Sequence, residues 1–291
     1  MSSQTSETVI SIITAVLNRP EPLSNTIESV LEQGHANIEH IVVDGGSSDS
    51  TRTVLENFAL RGVRFISEPD DGIYDALNKG LALARGSHIC ALHASDLYFP
   101  RAISTMMEHV RQDPDAIWYA DSRIGSRLVR APEEITPAIL LYNLGIAHQS
   151  IVAPRGAFDI AAAYDRSFRI VSDYLWMREA YCRGFRFRKM PGCHVHLDEG
   201  GLSSGRTEET RQLFEEEVAT RTRLHYPFLP HAILSTMYKH RTSDESAKIR
   251  AWADRMESSD ASKEITLWNE FRAALEDYLE RLSKMRRSAG G

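Results

Sequence analysis

Acidic side chains stand at the ends of several short apolar runs. Asp44 closes the run 39–43, Glu68, Asp70 and Asp71 follow the run 63–67, and Asp96 follows the run 88–93. In an open α/β sheet, ligands bind beyond the carboxyl ends of the strands, so acids at three such ends converge on one site. A single Asp after a strand more commonly caps a helix, but three coincident ends favour a shared site. Asp173 opens a segment of helical period, where its plain role is an N-cap. His194, His196 and Asp198 alternate, which places them on one face if that segment is a strand. A histidine in such a setting is usually structural.

The elements that must hold these acids are legible in the pattern. Short β-branched runs alternate with helix-period segments over the first half, which predicts a mainly parallel sheet with helices on both faces. Strands are expected at 9–16, 39–43, 63–67 and 88–93. Leu23, Ile27, Val30 and Leu31 mark one helix; Ile73, Ala76, Leu77, Gly80, Leu81 and Ala84 mark another. Ser48 or Asp49 can cap the helix after the second strand. Beyond residue 100 a short strand is expected at 117–120 and a helix at 174–183, stopped by Gly184. Two further strands are expected at 185–190 and 192–197.

Composition narrows the classes. The chain has 291 residues, 42% hydrophobic and 25% charged, enough to bury a full core. Its formal net charge of −6 argues against nucleic acid as a partner, since phosphate binding needs a surplus of Lys and Arg on one face. Cys90, Cys182 and Cys193 lack the close spacing of a zinc or redox site and read as reduced. No apolar run approaches the roughly 18 residues that cross a bilayer, and the first residues lack the pattern of a secretory signal. A cytoplasmic protein is expected. Residues 226–241 set apolar groups beside basic ones and suit a peripheral contact with the inner face of the membrane.

Two nucleotide-binding classes fail on the first turn. A dinucleotide fold needs glycines there so that the backbone can approach a pyrophosphate, yet Leu17-Asn18-Arg19-Pro20-Glu21-Pro22 has none. No GxxxxGK[ST] segment suggests a P-loop. A sugar-phosphate nucleotidyltransferase, the alternative enzyme, opens with a Gly-rich loop and a basic residue, a combination this turn does not offer.

The segments Ser11-Ile-Ile-Thr-Ala-Val-Leu-Asn18, Val42-Val-Asp-Gly-Gly-Ser-Ser-Asp-Ser-Thr51, Ser67-Glu-Pro-Asp-Asp-Gly-Ile-Tyr-Asp-Ala-Leu-Asn-Lys-Gly80 and Leu92-His-Ala-Ser-Asp-Leu-Tyr98 occur in that order. Together with His148-Gln149, Ser172-Asp173-Tyr174 and Gly200-Gly201-Leu202-Ser203, they resemble the motif series of family 2 glycosyltransferases, closest to bacterial members that assemble surface polysaccharides. The resemblance implies a GT-A fold and inverting transfer of a sugar from a nucleotide diphosphate donor, UDP-linked by preference, to a hydroxyl acceptor. It assigns Asp96 to a divalent metal, Mg²⁺ or Mn²⁺, and Asp44 to the nucleobase. Thr14, Asn18, Asp71 and Ser95 join the donor site, and Asp173 is the general base. His196 is a candidate second metal ligand. His148, Gln149, Gly201 and Ser203 shape the acceptor or diphosphate pocket. Similar proteins carry two adjacent acids where this chain has Ser95-Asp96, which implies weaker metal affinity. A binding module that kept the fold without catalysis is the rival reading.

The expected organisation is a catalytic domain over residues 1–205 and a helical extension over 206–291. In the extension Leu267, Phe271, Leu275, Tyr278, Leu279 and Leu282 form a stripe suited either to homo-oligomerisation or to packing within the chain.

Overall fold

The structure, a computed structural model, describes residues 9–135, 146–160, 163–200, 207–226, 243–258 and 268–289. Strands β1 (Ile10–Val16), β2 (Ile38–Asp44), β3 (Arg64–Ser67) and β4 (His88–Ala91) run parallel in the order β3-β2-β1-β4, and β8 (Ala153–Pro154) pairs antiparallel on the β4 edge. Every residue of β1 is buried, as expected of a central parallel strand covered on both faces.

Helices α1 (Pro20–Leu31), α2 (Thr51–Ala59) and α3 (Ile73–Leu83) connect these strands. Pro20 opens α1, where its fixed φ suits the helix and its missing N–H costs nothing. Leu23 and Ile27, one turn apart, are buried with Val16, Val42, Leu55 and Phe58. Val30, on the next turn, joins Ile10, Ile12, Leu92 and Met106. Neither Ser48 nor Asp49 is the cap of α2. That position falls to Ser50, which makes no side-chain cap bond, while Asp49 accepts from the Thr51 N–H and hydroxyl.

Helix α3 lies against β1 so closely that a Cβ at Gly80 would collide with the Ile13 side chain. Gly80→Ala is therefore expected to cost about 1–3 kcal/mol through overpacking, despite the better helix propensity of Ala. Thermal melting reads this directly. An unchanged or higher melting temperature would mean that α3 can shift outward without loss.

A second sheet has the order β5-β9-β6-β7, from β5 (Leu97–Tyr98), β6 (Ile117–Ile124), β7 (Arg127–Val129) and β9 (Phe187–Leu197). The two strands expected at 185–190 and 192–197 are one. Pro191 and Gly192 read as a break, but they lie within β9. There Gly192 takes φ +87° and the register with β6 slips between Tyr119 and Ser122. Strand β5 pairs Leu97 with His196, which brings the segment after β9 back to the turn holding Asp96.

Helices α4 (Ala102–Gln112), α5 (Arg155–Ile160) and α6 (Ser172–Cys182) complete this unit, and Gly184 at φ +87° follows α6 as its sequence suggests. Asp173 does not precede α6 as an N-cap. It is the second residue of the helix, and Val171 holds the cap position.

The described residues fall into two compact units, 9–134 with 146–200 and, separately, 135 with the segments beyond 206. The expected boundary at 205 lies outside the described residues. The second unit contains α7 (Glu208–His225), α8 (Ser243–Glu257) and α9 (Trp268–Ala289). In it Phe271 is buried against Tyr226, Trp252 and Trp268, and Leu275 and Leu279 are buried as well. This part of the stripe is covered within the chain. Leu267 and the side chains of Tyr278 and Leu282 fall outside the described residues, as do residues 227–241 of the candidate membrane contact. No helix among the described residues is long and apolar enough to cross a membrane.

Candidate active site

The turn after β4 positions Asp96. Ser95 takes φ +104°, an uncommon conformation for a residue other than glycine, and donates its N–H to Thr26 Oγ1 of α1 at 3.0 Å. The Asp96 N–H bonds to the His93 carbonyl at 2.9 Å, closing the turn. The carboxyl that results is 6% exposed. Its Oδ1 accepts the Asp198 N–H and its Oδ2 the Gln149 side-chain amide, both at 2.9 Å. Burial pushes the Asp96 pKa up to about 7, against the pull of these hydrogen bonds.

From Gln149 a run of contacts leads to Asp173. The neighbouring His148, in the short 3₁₀ turn His148–Ser150, is buried and bonds through Nε2 to the Tyr164 hydroxyl at 2.7 Å. Burial, with His93 5.9 Å away ring to ring, lowers the His148 pKa to about 3, so the ring is neutral. Tyr164 packs against Tyr74 of α3 with centroids 5.7 Å apart. The Tyr74 hydroxyl lies 2.7 Å from the Ile170 carbonyl and 3.2 Å from Asp173 Oδ1, and its single proton serves one of them at a time. Asp173 Oδ1 also accepts the Tyr174 N–H at 2.9 Å. Burial, then the nearby Asp173 charge, raises the Tyr74 pKa well above its usual value. His148 is thus linked toward Asp173 through Tyr164 and Tyr74, whereas Gln149 reaches Asp96 directly.

On the same carboxyl edge of the sheet, two strands away from β4, Asp44 closes β2 and is fully buried. It accepts the Ser67 hydroxyl at 2.6 Å, the Ser47 N–H at 3.2 Å and the Ser47 hydroxyl. Asn18, at φ +51°, ties the first turn to this one. Its N–H donates to Ser47 Oγ at 2.7 Å, and its Oδ1 accepts the Ser48 N–H at 2.9 Å. Asn tolerates that conformation better than most residues. Thr14 does not line this surface. It lies two residues before the end of β1, fully buried, with its hydroxyl 3.0 Å from His40 Nε2. Asp71 is mostly exposed and 3.8 Å from Arg166, whose stronger partner is Asp75 at 2.9 Å. Gly201 and Ser203 lie outside the described residues.

Among the described residues no three His, Cys, Asp or Glu side chains converge as a metal site. His196 is stacked on Phe99, with centroids 6.2 Å apart, and joins no such group. A cation bridging a nucleoside diphosphate, however, takes most of its ligands from phosphate and water and needs only one or two carboxylates. Each Asp96 oxygen accepts one hydrogen bond and keeps a second lone pair. Asp96 therefore fits a divalent ion as a single protein ligand, and such an ion would offset the burial of its charge.

Sequence reasoning passes over two residues. Tyr74 lies in the segment Gly72-Ile73-Tyr74-Asp75, whose acids draw the attention, yet its hydroxyl is what reaches Asp173. Arg19 is a basic residue in the turn after β1. Its Nη1 donates to Ser95 Oγ at 3.0 Å and lies 3.6 Å from Asp198.

A parallel sheet ending in acids, backed by a second mixed sheet that returns to the same turn, is a fold of the GT-A type. The chain belongs to glycosyltransferase family 2, whose family model, "Glycosyl transferase family 2", matches residues 11–148. It is 31% identical over 171 residues to a PGL/p-HBAD biosynthesis glycosyltransferase of Mycobacterium bovis, covering 57% of this chain and 67% of that protein. The fold resembles that of S. aureus TarS residues 1–349 in complex with UDP-GlcNAc, with a TM-score of 0.62, 16% identity, and coverage of 97% of this chain and 92% of TarS. It also resembles a mannosyltransferase from Pyrobaculum calidifontis in complex with GDP-Man and Mn²⁺, with a TM-score of 0.55, 16% identity, and coverage of 94% and 88%.

Proposed function

We propose that this glycosyltransferase moves a sugar with inversion from a nucleoside diphosphate donor, UDP-linked by preference, to a hydroxyl acceptor, in the assembly of a polysaccharide or glycoconjugate. The observation that carries this reading is the connected pair of carboxyl groups, Asp96 and Asp173, joined through Gln149, His148, Tyr164 and Tyr74. The acceptor oxygen bonds to the anomeric carbon as the bond from that carbon to the diphosphate oxygen breaks on the opposite face. Asp173 takes the acceptor's proton, and Tyr74 orients its carboxylate. Asp96 lies where the leaving diphosphate gathers charge. Mg²⁺ or Mn²⁺ held there would stabilise that charge as a Lewis acid. The UDP-GlcNAc bound by TarS and the GDP-Man bound by the mannosyltransferase, proteins of similar fold, support a nucleotide-sugar donor, and the mycobacterial relative's name supports a glycoconjugate product.

The buried Asp44 is the acceptor for a nucleobase N–H, with Asn18 and Asp71 bordering the same end of the sheet. Titration calorimetry with UDP, GDP and dTDP tests the donor class, and the same titrations on Asp44→Asn test the residue. Losing a hydrogen bond to a charged acceptor costs about 1.5–3 kcal/mol, so UDP affinity should fall by about 10- to 100-fold. Asn keeps one oxygen for the Ser47 hydroxyl, and its amide group can donate to the Ser67 hydroxyl, which accepts as well as donates, so the fold should survive. Unaltered UDP affinity in Asp44→Asn would leave Asp44 as a turn residue alone.

A further inference from the structure

We infer that Arg19 binds the donor's diphosphate, and that Ser95, in place of a second acid, is what leaves the guanidinium available to do so. This rests on the donor reading above and deepens it. Arg19 stands in the turn between β1 and α1, at the N-cap of α1. Its backbone is held in place, its N–H donating to Thr51 Oγ1 at 3.2 Å and its carbonyl accepting the Leu23 N–H at 3.0 Å. The side chain reaches across to the turn after β4, where Nη1 donates to Ser95 Oγ. Asp198, 3.6 Å from the same nitrogen, gives its own N–H to Asp96. The guanidinium of Arg19 therefore contacts both the residue preceding the buried Asp96 and a residue that bonds to its carboxyl.

The guanidinium is anchored without being used up. Nη1 carries both contacts, while Nε and Nη2 have no hydrogen-bond partner among the described residues. The Asp198 contact is long and half exposed on both sides, with side chains 47% and 40% accessible. Pairs of this kind are worth only about 0–1 kcal/mol, and the Ser95 bond has a neutral acceptor. A diphosphate can meet the free edge of the planar fork in the paired geometry that arginine favours. Two other cations near these strand ends are committed elsewhere. Lys79 is held by Glu68 and Asp75, and Arg166 by Asp75. A carboxylate at position 95 would instead stand at hydrogen-bonding distance from Arg19, closing a charged pair and cancelling the charge that a phosphate would meet.

Calorimetry of UDP and of uridine, in EDTA at low salt, separates the phosphate contribution from that of the base. For Arg19→Gln we expect UDP binding to weaken by about 10- to 100-fold, the equivalent of one charge-assisted hydrogen bond, with uridine binding unchanged. Arg19→Lys should recover part of the loss, which shows that the turn still folds. Ser95→Asp should weaken UDP binding in the same direction, and the double variant Ser95→Asp with Arg19→Gln should be at least as weak as Arg19→Gln. Equal UDP affinity in the parent chain and in a folded Arg19→Gln overturns the inference. So does tighter metal-free UDP binding by Ser95→Asp. If the parent chain binds neither UDP nor another nucleoside diphosphate, the donor assignment itself falls and the role of Arg19 falls with it.

Discussion

Asp173→Asn should transfer sugar about 10²- to 10⁴-fold more slowly than the parent chain, the usual contribution of a general base, with donor affinity unchanged. The amide retains an oxygen for the Tyr174 N–H and the Tyr74 hydroxyl, which both reach Oδ1, so the local hydrogen bonds of α6 persist. What it loses is the capacity to accept the acceptor's proton. Asp173 lies inside the first turn and does not cap the helix, so a purely structural Asp173 predicts little change in activity per folded molecule. Single-turnover transfer beside calorimetric donor binding distinguishes the two. Transfer at the parent rate would move the base elsewhere, with Asp198 or Glu199 next in line.

Asp96→Asn should act in opposite directions on activity and stability. Transfer should drop by about 10²- to 10³-fold, as when a group stabilising transition-state charge is removed. In metal-free buffer at pH 8, however, the variant should melt at a higher temperature than the parent. The Asp96 carboxyl has an ordinary pKa of 3.8 when exposed and about 7 when folded. Between those values the folded state retains a proton that the unfolded state has lost. The parent therefore loses stability as pH rises from about 4 to about 7, and above that range it bears the full cost of burying the charge. At about 1.4 kcal/mol per unit the shift corresponds to roughly 4 kcal/mol, an upper figure because relaxation around a charged group reduces it. Asn has no charge to bury, so the stability gap between variant and parent should narrow toward pH 4. Melting curves from pH 4 to 8 in EDTA read this. A gap that stays constant or widens toward acid pH would contradict the burial of a costly carboxyl.

The sequence by itself determined the alternation of strand and helix, the order of the motifs and the acids at strand ends. These follow from local chemistry: β-branched runs with covered faces, helical spacing of Leu23 and Ile27, and a glycine where α6 stops. Side-chain partners were another matter, because they are set by segments far apart in the chain. Thr14 reads as a lining residue but is turned toward His40 across the sheet. His196 reads as a metal ligand, yet the β5–β9 pairing stacks it on Phe99. The continuity and pairing of the second sheet were hidden although its strands were expected, since Pro191-Gly192 marks a bulge as readily as a break and only pairing with β6 decides which. Tyr74 meets Asp173 from 99 residues away, and Arg19 meets Ser95 from 76. Contacts at such separations depend on how the sheets and helices pack, and local pattern does not encode that packing. The tertiary structure alone decided which acids are buried, which hydroxyls hold them, and where the arginine of the first turn comes to rest.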